Sequence, residues 1–172
     1  MSAVSLPTVV EPFKWADRAV HVMADVPLST FSRLSEGALD PSVTVHVDCR
    51  FERDAQHVSW LRGRMEVSMR VACQRCLEPV ALPLEVDLDL ALLREEAQAD
   101  RLPDDADFLV VDEHDVSLAD ILEDELLLAV PYTPVHDACE LGYAPAAPEK
   151  ADVRKENPFQ VLAALKKPSA KE

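Results

Sequence analysis

Residues 65–93 read "MEVSMRVACQRCLEPVALPLEVDLDLALL", and they contain two alternating runs joined by a short polar turn. The first run places apolar side chains on one face, at Met65, Val67, Met69 and Val71. The second run, over 79–93, does the same, at Leu82, Leu84, Val86, Leu88, Leu90 and Leu92. An alternation of period two predicts β-strands. The turn "CQRCLEP" at 73–79 is therefore predicted to form the tip of a β-hairpin.

Shorter patterns extend this hairpin in both directions. Strands are predicted over 20–26, 42–51, 57–73 and 108–111. Cys49 continues a stripe of valines, so we expect it to be a small buried side chain. The glycine of "RGR" at 62–64 is the clearest candidate for a turn within the longer run. Helices are predicted over 29–36, 117–130 and 157–165, where cap residues precede apolar stripes.

Together these elements predict an α+β fold, a curled antiparallel β-sheet or partial barrel with a few short helices. Strands that alternate between an apolar and a polar face are typical of antiparallel sheets with one solvated side. The length of 172 residues predicts one main domain, over 1–140. Residues 141–172 are predicted to be a Pro/Ala-rich linker and a short C-terminal helix.

The compartment is predicted from two further observations. The longest apolar runs, such as "LLLAV" at 126–130, are too short to cross a bilayer. The N-terminus shows no basic region followed by an apolar stretch, as a signal peptide would. We therefore expect a cytoplasmic protein without a membrane partner, in which cysteines stay reduced.

Three of the four cysteines suggest a metal site. Cys73 and Cys76 form a C-x-x-C pair, and His136 and Cys139 form an H-x-x-C pair about sixty residues later. Two such pairs predict one structural zinc ion with four protein ligands. The other interpretation is a plain turn beside a surface histidine, and spacing alone leaves both open. A redox pair is disfavoured, because no helix begins after Cys76.

Charge is distributed unevenly along a chain whose net charge is −15. Thirteen acidic residues against one arginine occupy 95–125, which suits a basic partner or a solvated face. Six arginines occupy 50–75, and they favour either a nucleic-acid surface or the shielding of a sheet. The candidate binding residues are Arg62, Arg64, Arg70 and Arg75, together with Glu123, Asp124 and Glu125.

Motifs for catalysis are missing from the sequence. It contains no G-x-S-x-G, no H-E-x-x-H and no glycine-rich phosphate loop, and it has only three glycines. We therefore expect neither catalytic residues nor a small-molecule substrate. Carboxylates over 104–125 could coordinate Mg²⁺, but their pattern is also that of a charged loop and helix face.

Three stretches resemble one known family when they are taken in order. They are "CQRCLEPV" at 73–80, "SLADILEDELLLAVPYTPVHDAC" at 117–139 and "NPFQVLAAL" at 157–165. In this order and spacing the chain resembles the YceD family, the large ribosomal RNA subunit accumulation proteins. The resemblance covers most of the chain.

The resemblance implies a non-catalytic ribosome-biogenesis factor in the cytoplasm. Such a factor would support synthesis, processing or stability of 23S rRNA during large-subunit assembly. The implied partner is a large-subunit precursor, through 23S rRNA, a basic ribosomal protein or an assembly factor. The protein partner is favoured, because a chain of net charge −15 repels phosphate at long range. A metal-dependent enzyme acting on precursor rRNA is the alternative.

Overall fold

Five strands form one open sheet in the computed structural model, which describes residues 6–111 and 115–139. In chain order, which is also the order in the sheet, they are β1 (His21–Pro27), β2 (Thr44–Arg53), β3 (Ser59–Ala72), β4 (Pro79–Leu93) and β5 (Asp107–Val110). The α-helices are α1 (Pro12–Asp17), α2 (Ser32–Glu36) and α3 (Leu118–Ala129). Short 3₁₀ helices cover Leu28–Thr30 and Glu96–Arg101. The predicted α+β class with a curled sheet is confirmed.

The sheet differs from the prediction at one edge. Strands β1 to β4 pair antiparallel, as expected. Strand β5 instead runs parallel to β4, with Leu90 opposite Asp107. Residues 94–106 cross the sheet between the two strands, and a crossover of this kind is what a parallel neighbour requires. The result is a mixed sheet.

The core lies on one face of the sheet, under the helices. Most alternate residues of β2, β3 and β4 are buried there, including Cys49, which is 1% exposed. Burial, with a smaller effect of Asp48, raises the pKa of the Cys49 thiol to about 12. Cys49 is thus the small buried side chain that the stripe predicts. Helix α3 covers this face with Leu118, Ile121, Leu122 and Leu126.

The predicted turn at Gly63 is wrong, because β3 continues through it. Gly63 lies opposite both Cys49 and Leu88 in the middle of the sheet. Its φ is 157°, and a Cβ there would lie 2.1 Å from the carbonyl oxygen of Asp48. The glycine therefore permits a close approach of two strands instead of a reversal of the chain.

Two elements were not predicted. Helix α1 packs on β2, where Trp15 meets Phe51 edge to face at 5.4 Å. Residues 94–106 include a 3₁₀ helix, and this segment shelters Trp60 on the face of the sheet away from the core. Within the described ranges, no helix is both long and apolar enough to span a bilayer.

The described residues belong to the first of two compact units, residues 1–142. The predicted linker over 141–172 and the predicted helix over 157–165 lie outside the described residues. Both stay predictions.

Candidate metal centre and charged faces

The tip of the β3–β4 hairpin is a turn closed by its own backbone. The Cys73 N–H donates to the Glu78 carbonyl at 2.9 Å, and the Leu77 N–H donates to the Cys73 carbonyl at 2.9 Å. Leu77 adopts a left-handed φ of 66°, which completes the reversal. The Gln74 N–H donates to the Pro134 carbonyl at 2.8 Å. This last bond joins the hairpin tip to the chain that follows α3.

That junction brings together the four residues of the predicted metal site. One ligand atom from each of Cys73, Cys76, His136 and Cys139 lies within 4.8 Å of the others. The sulfur atoms of Cys73 and Cys139 are 3.7 Å apart, and Cys76 Sγ is 3.4 Å from His136 Nδ1. A tetrahedral zinc with Zn–S bonds of about 2.3 Å separates two sulfurs by about 3.8 Å. The cluster can therefore hold one tetrahedral metal ion.

The ring of His136 is oriented for metal binding. Its Nε2 lies 3.1 Å from the carbonyl oxygen of Pro79, which can only accept a hydrogen bond. This contact favours the neutral tautomer with its proton on Nε2, in which Nδ1 carries a lone pair that faces Cys76. Metal-binding histidines commonly have such a second partner, which fixes the tautomer and the ring plane.

Arg75 supports the cluster from the exposed side. Its Nε donates to Cys139 Sγ at 2.9 Å, and its Nη2 donates to the His136 carbonyl at 2.7 Å. Its backbone N–H lies 3.5 Å from Cys73 Sγ. The sequence suggests that Arg75 binds a partner. The structure places it between the two ligand pairs, which its position inside "CQRC" could have indicated.

The turn also favours a thiolate. Burial, the largest influence, acts to raise the pKa of the Cys73 thiol. Hydrogen bonds from Cys76, Arg75 and His136 outweigh it and lower that pKa to about 5. The thiolate is the form of cysteine that binds metals, so Cys73 presents its metal-binding form at neutral pH. At Cys76 a hydrogen bond from the Glu78 backbone acts to lower the pKa of the thiol, but burial and the neighbouring thiols outweigh it and raise that pKa instead.

The remaining predicted arginines lie on the outer face of the sheet, which is the face away from the core. Arg62 pairs with Glu52 at 2.9 Å and with Asp89 at 2.6 Å. Arg64 contacts acidic residues on its own strand and on β4, at Glu66, Glu85 and Asp87. Arg70 is exposed near the far end of β3. Most of this positive charge is therefore balanced within the sheet.

The three predicted acidic residues of α3 have different surroundings. The side chain of Glu123 is 4% exposed and bonds to Arg33 and Leu34. Asp124 is exposed, and Arg33 Nη1 contacts it at 2.7 Å. Glu125 is half-buried, and desolvation followed by repulsion from Asp107 and Asp124 raises its pKa. The acidic face of α3 is thus smaller than the sequence suggests.

Comparisons with known proteins agree with the sequence motifs. A family model described as "Large ribosomal RNA subunit accumulation protein YceD" matches residues 61–166. A protein of Haemophilus influenzae with the same description is 31% identical over 173 residues, covering 96% of this chain and 99% of that protein. No solved structure gives a significant match. The chain belongs to the YceD family of large ribosomal RNA subunit accumulation proteins.

Proposed function

We propose that this protein is a non-catalytic assembly factor that supports accumulation of 23S rRNA in the large ribosomal subunit. The observation that carries the proposal is the nearly full-length similarity to a relative named for large ribosomal RNA subunit accumulation. The factor would act in the cytoplasm, on large-subunit precursors. Its main domain, over 1–140, would be followed by a linker and a short helix.

We further propose that the cluster of Cys73, Cys76, His136 and Cys139 holds one structural zinc ion. Three thiols and an imidazole are a ligand set that zinc prefers, and four protein ligands fill a tetrahedral ion. A catalytic zinc keeps one position open for water or substrate. The site would instead tie the β3–β4 hairpin to the segment after α3.

The geometry favours a non-catalytic protein over a metal-dependent nuclease. Over the described ranges, the group that could bind a metal is the cysteine and histidine cluster. Glu123, which lies in the acidic run that prompted the nuclease alternative, is already engaged by Arg33 and Leu34. A buried carboxylate with these partners is not free to coordinate a catalytic ion.

We place the basic protein partner on the outer face of the sheet. Its carboxylates outnumber its arginines, and Asp87 is the most exposed of those in ion pairs, with 85% of its side chain exposed. Glu85 and Asp89 flank it on the same face of β4. Asp124 and Glu125 belong to α3, which covers the core face of the sheet, so they would form a separate and smaller acidic surface. A basic ribosomal protein or assembly factor fits this chemistry, because complementary charge steers association.

Deletion of the gene tests the function. We expect less 23S rRNA relative to 16S rRNA, and we expect the tagged protein to co-sediment with 50S precursors. Normal 23S levels together with no co-sedimentation would overturn the proposal. Magnesium-dependent cleavage of precursor rRNA by the purified protein would overturn its non-catalytic part.

Charge reversal on the outer face of the sheet tests the proposed partner surface. A triple charge reversal, Glu85→Lys with Asp87→Lys and Asp89→Lys, should abolish capture of basic large-subunit proteins in a pull-down. Reversing Glu36, an exposed acid at the end of α2, provides the matched control. Equal capture by the triple variant and the wild type would remove the outer face as the interface.

A further inference from the structure

A cleft with a basic lining opens beside the first residues of β3. Its volume is about 470 Å³, and its walls come from the β2–β3 turn, the end of β4 and the 3₁₀ helix at 96–101. Three arginines and one histidine line it, namely Arg53, Arg94, Arg101 and His57. Among the described residues that line this cleft, none is acidic. Such a lining is unexpected in a chain of net charge −15, and it indicates a local site for an anion.

Two of these arginines keep their charge available. Within the described part of the chain, neither Arg94 nor Arg101 forms an ion pair with a carboxylate. Arg53 is different, because its Nη1 contacts Asp17 at 2.9 Å. The cleft therefore presents two uncompensated guanidinium groups and a third that is partly neutralised.

Arg94 also lies over an aromatic ring. Its guanidinium carbon is 4.1 Å from the ring centroid of Phe13. An arginine can stack on an aromatic ring with one face of its guanidinium and offer the other face to a second flat group. Nucleobases stack on arginine planes in this way in RNA complexes. A base beside a phosphate would thus find both of its contacts at Arg94.

The walls of the cleft are fixed before any ligand arrives. In the β2–β3 turn, Asp54 Oδ1 accepts bonds from the N–H groups of Gln56 and Val58, at 2.9 and 2.8 Å. Asp54 Oδ2 accepts from Trp60 Nε1 at 2.9 Å. On the other wall, Gln98 Oε1 accepts from the Arg94 N–H at 2.9 Å. A site that is already ordered loses less entropy on binding.

We propose that this cleft binds a single-stranded stretch of RNA, with Arg94 and Arg101 on its phosphates and a base stacked on Arg94. The inference rests on the proposed function and assigns it a surface for direct RNA contact. At physiological salt, charges act over about 8 Å. The cleft can therefore attract phosphate locally although the whole chain is acidic, and the acidic surroundings keep RNA from other faces.

Binding of a labelled RNA tests the cleft. The probe is a fluorescein-labelled 12-nucleotide single-stranded RNA, and anisotropy at several salt concentrations measures its binding to the full chain. We expect Arg94→Ala with Arg101→Ala to weaken binding roughly tenfold. The plot of log affinity against log salt should become less steep, by about 0.7 for each phosphate that the variant no longer neutralises.

Arg70→Ala separates the cleft from the alternative RNA surface, because Arg70 is an exposed β3 arginine that the sequence suggests as a binding residue. It lies eleven residues along the strand from Ser59, about 35 Å away. We expect its substitution to leave RNA affinity unchanged. Thermal melts of both variants verify that each is folded.

Three results would overturn the inference. They are undetectable binding of the RNA by the wild type at low salt, equal affinity of the double variant and the wild type, and competition by polyglutamate as strong as that by RNA. The last result would mark the cleft as a site for an acidic peptide. In cells, normal 23S levels after deletion would refute the proposed function. Normal 23S levels restored by a double variant that no longer binds RNA would refute only the role of the cleft.

Discussion

Glu123 of α3 receives two hydrogen bonds from Arg33 of α2, one from the backbone N–H at 2.6 Å and one from Nε at 2.9 Å. The Leu34 N–H adds a third at 3.1 Å. These N–H groups belong to the first turn of α2, where the helix has no internal acceptor for them. A single buried carboxylate thus caps one helix and joins it to another.

We expect Glu123→Gln to lower the free energy of unfolding by about 2 kcal/mol. The amide keeps the shape of the side chain, but it replaces one acceptor with a donor that faces other donors. For a chain of this size the melting temperature should fall by about 4–8 °C. Asp124→Asn, which changes an exposed neighbour, should shift it by no more than about 2 °C. Equal shifts for both variants would contradict the capping role.

The same carboxylate should make stability depend on pH. Burial acts to raise the pKa of Glu123, but bonds from Leu34 and Arg33 outweigh it and hold that pKa below its usual value of 4.5. A lowered folded pKa means that the stabilisation is complete above about pH 4.5 and is lost as pH falls through the folded pKa. The difference in melting temperature between wild type and Glu123→Gln should be constant from about pH 7 to about pH 6 and shrink below about pH 4.5. A difference in melting temperature that grows on acidification would contradict a lowered pKa for Glu123.

Gly63 lies where β2 approaches β3 too closely to leave room for a side chain. Its substitution by alanine places a Cβ 2.1 Å from the Asp48 carbonyl oxygen and 2.5 Å from Cys49 Cα, both backbone atoms that cannot rotate away. We expect a loss of about 3 kcal/mol in the free energy of unfolding, measured by urea denaturation. Gly37→Ala is the control, because its nearest neighbour is 3.7 Å away. That variant should be neutral or slightly stabilised.

The strands that build the site could be predicted from alternation alone. Strands β2, β3 and β4 begin and end within about two residues of the predicted ranges, because each has one buried and one solvated face. The two predicted strands alone are enough to place Cys73 and Cys76 together at the tip of the hairpin. The H-x-x-C spacing identified the second pair, and the structure brings it to the first.

Local sequence patterns do not predict contacts between distant segments. Glu123 looks like part of a solvated run, and its partner Arg33 lies ninety residues earlier. The direction of β5 depends on how residues 94–106 cross the sheet, which a four-residue strand does not encode. The cleft arginines fall in three separate elements, so no local motif links them.

Protein purified without chelators should contain about one zinc ion per chain by elemental analysis. Cys76→Ser removes one of four ligands and should reduce the zinc content to well below one. A chelator should lower the melting temperature of the wild type by at least about 5 °C, since the metal binds only the folded chain. It should leave Cys76→Ser unchanged. Cys49→Ala, which changes a cysteine buried in the core away from the cluster, should retain its zinc; a metal-free wild type would remove the site.

Arg75 distinguishes a supporting role at the metal from a role in RNA binding. Its guanidinium contacts Cys139 Sγ and the His136 carbonyl, so Arg75→Ala should weaken zinc affinity about tenfold or more. Competition with a chromophoric chelator at about pH 7 measures this change. Arg75→Lys should fall between the wild type and Arg75→Ala, because an ammonium keeps the charge but lacks the planar fork that reaches both acceptors. Arg70→Ala should keep full zinc affinity. If Arg75→Ala instead reduces RNA binding and leaves zinc affinity intact, the guanidinium acts on RNA and its contacts with the cluster are incidental.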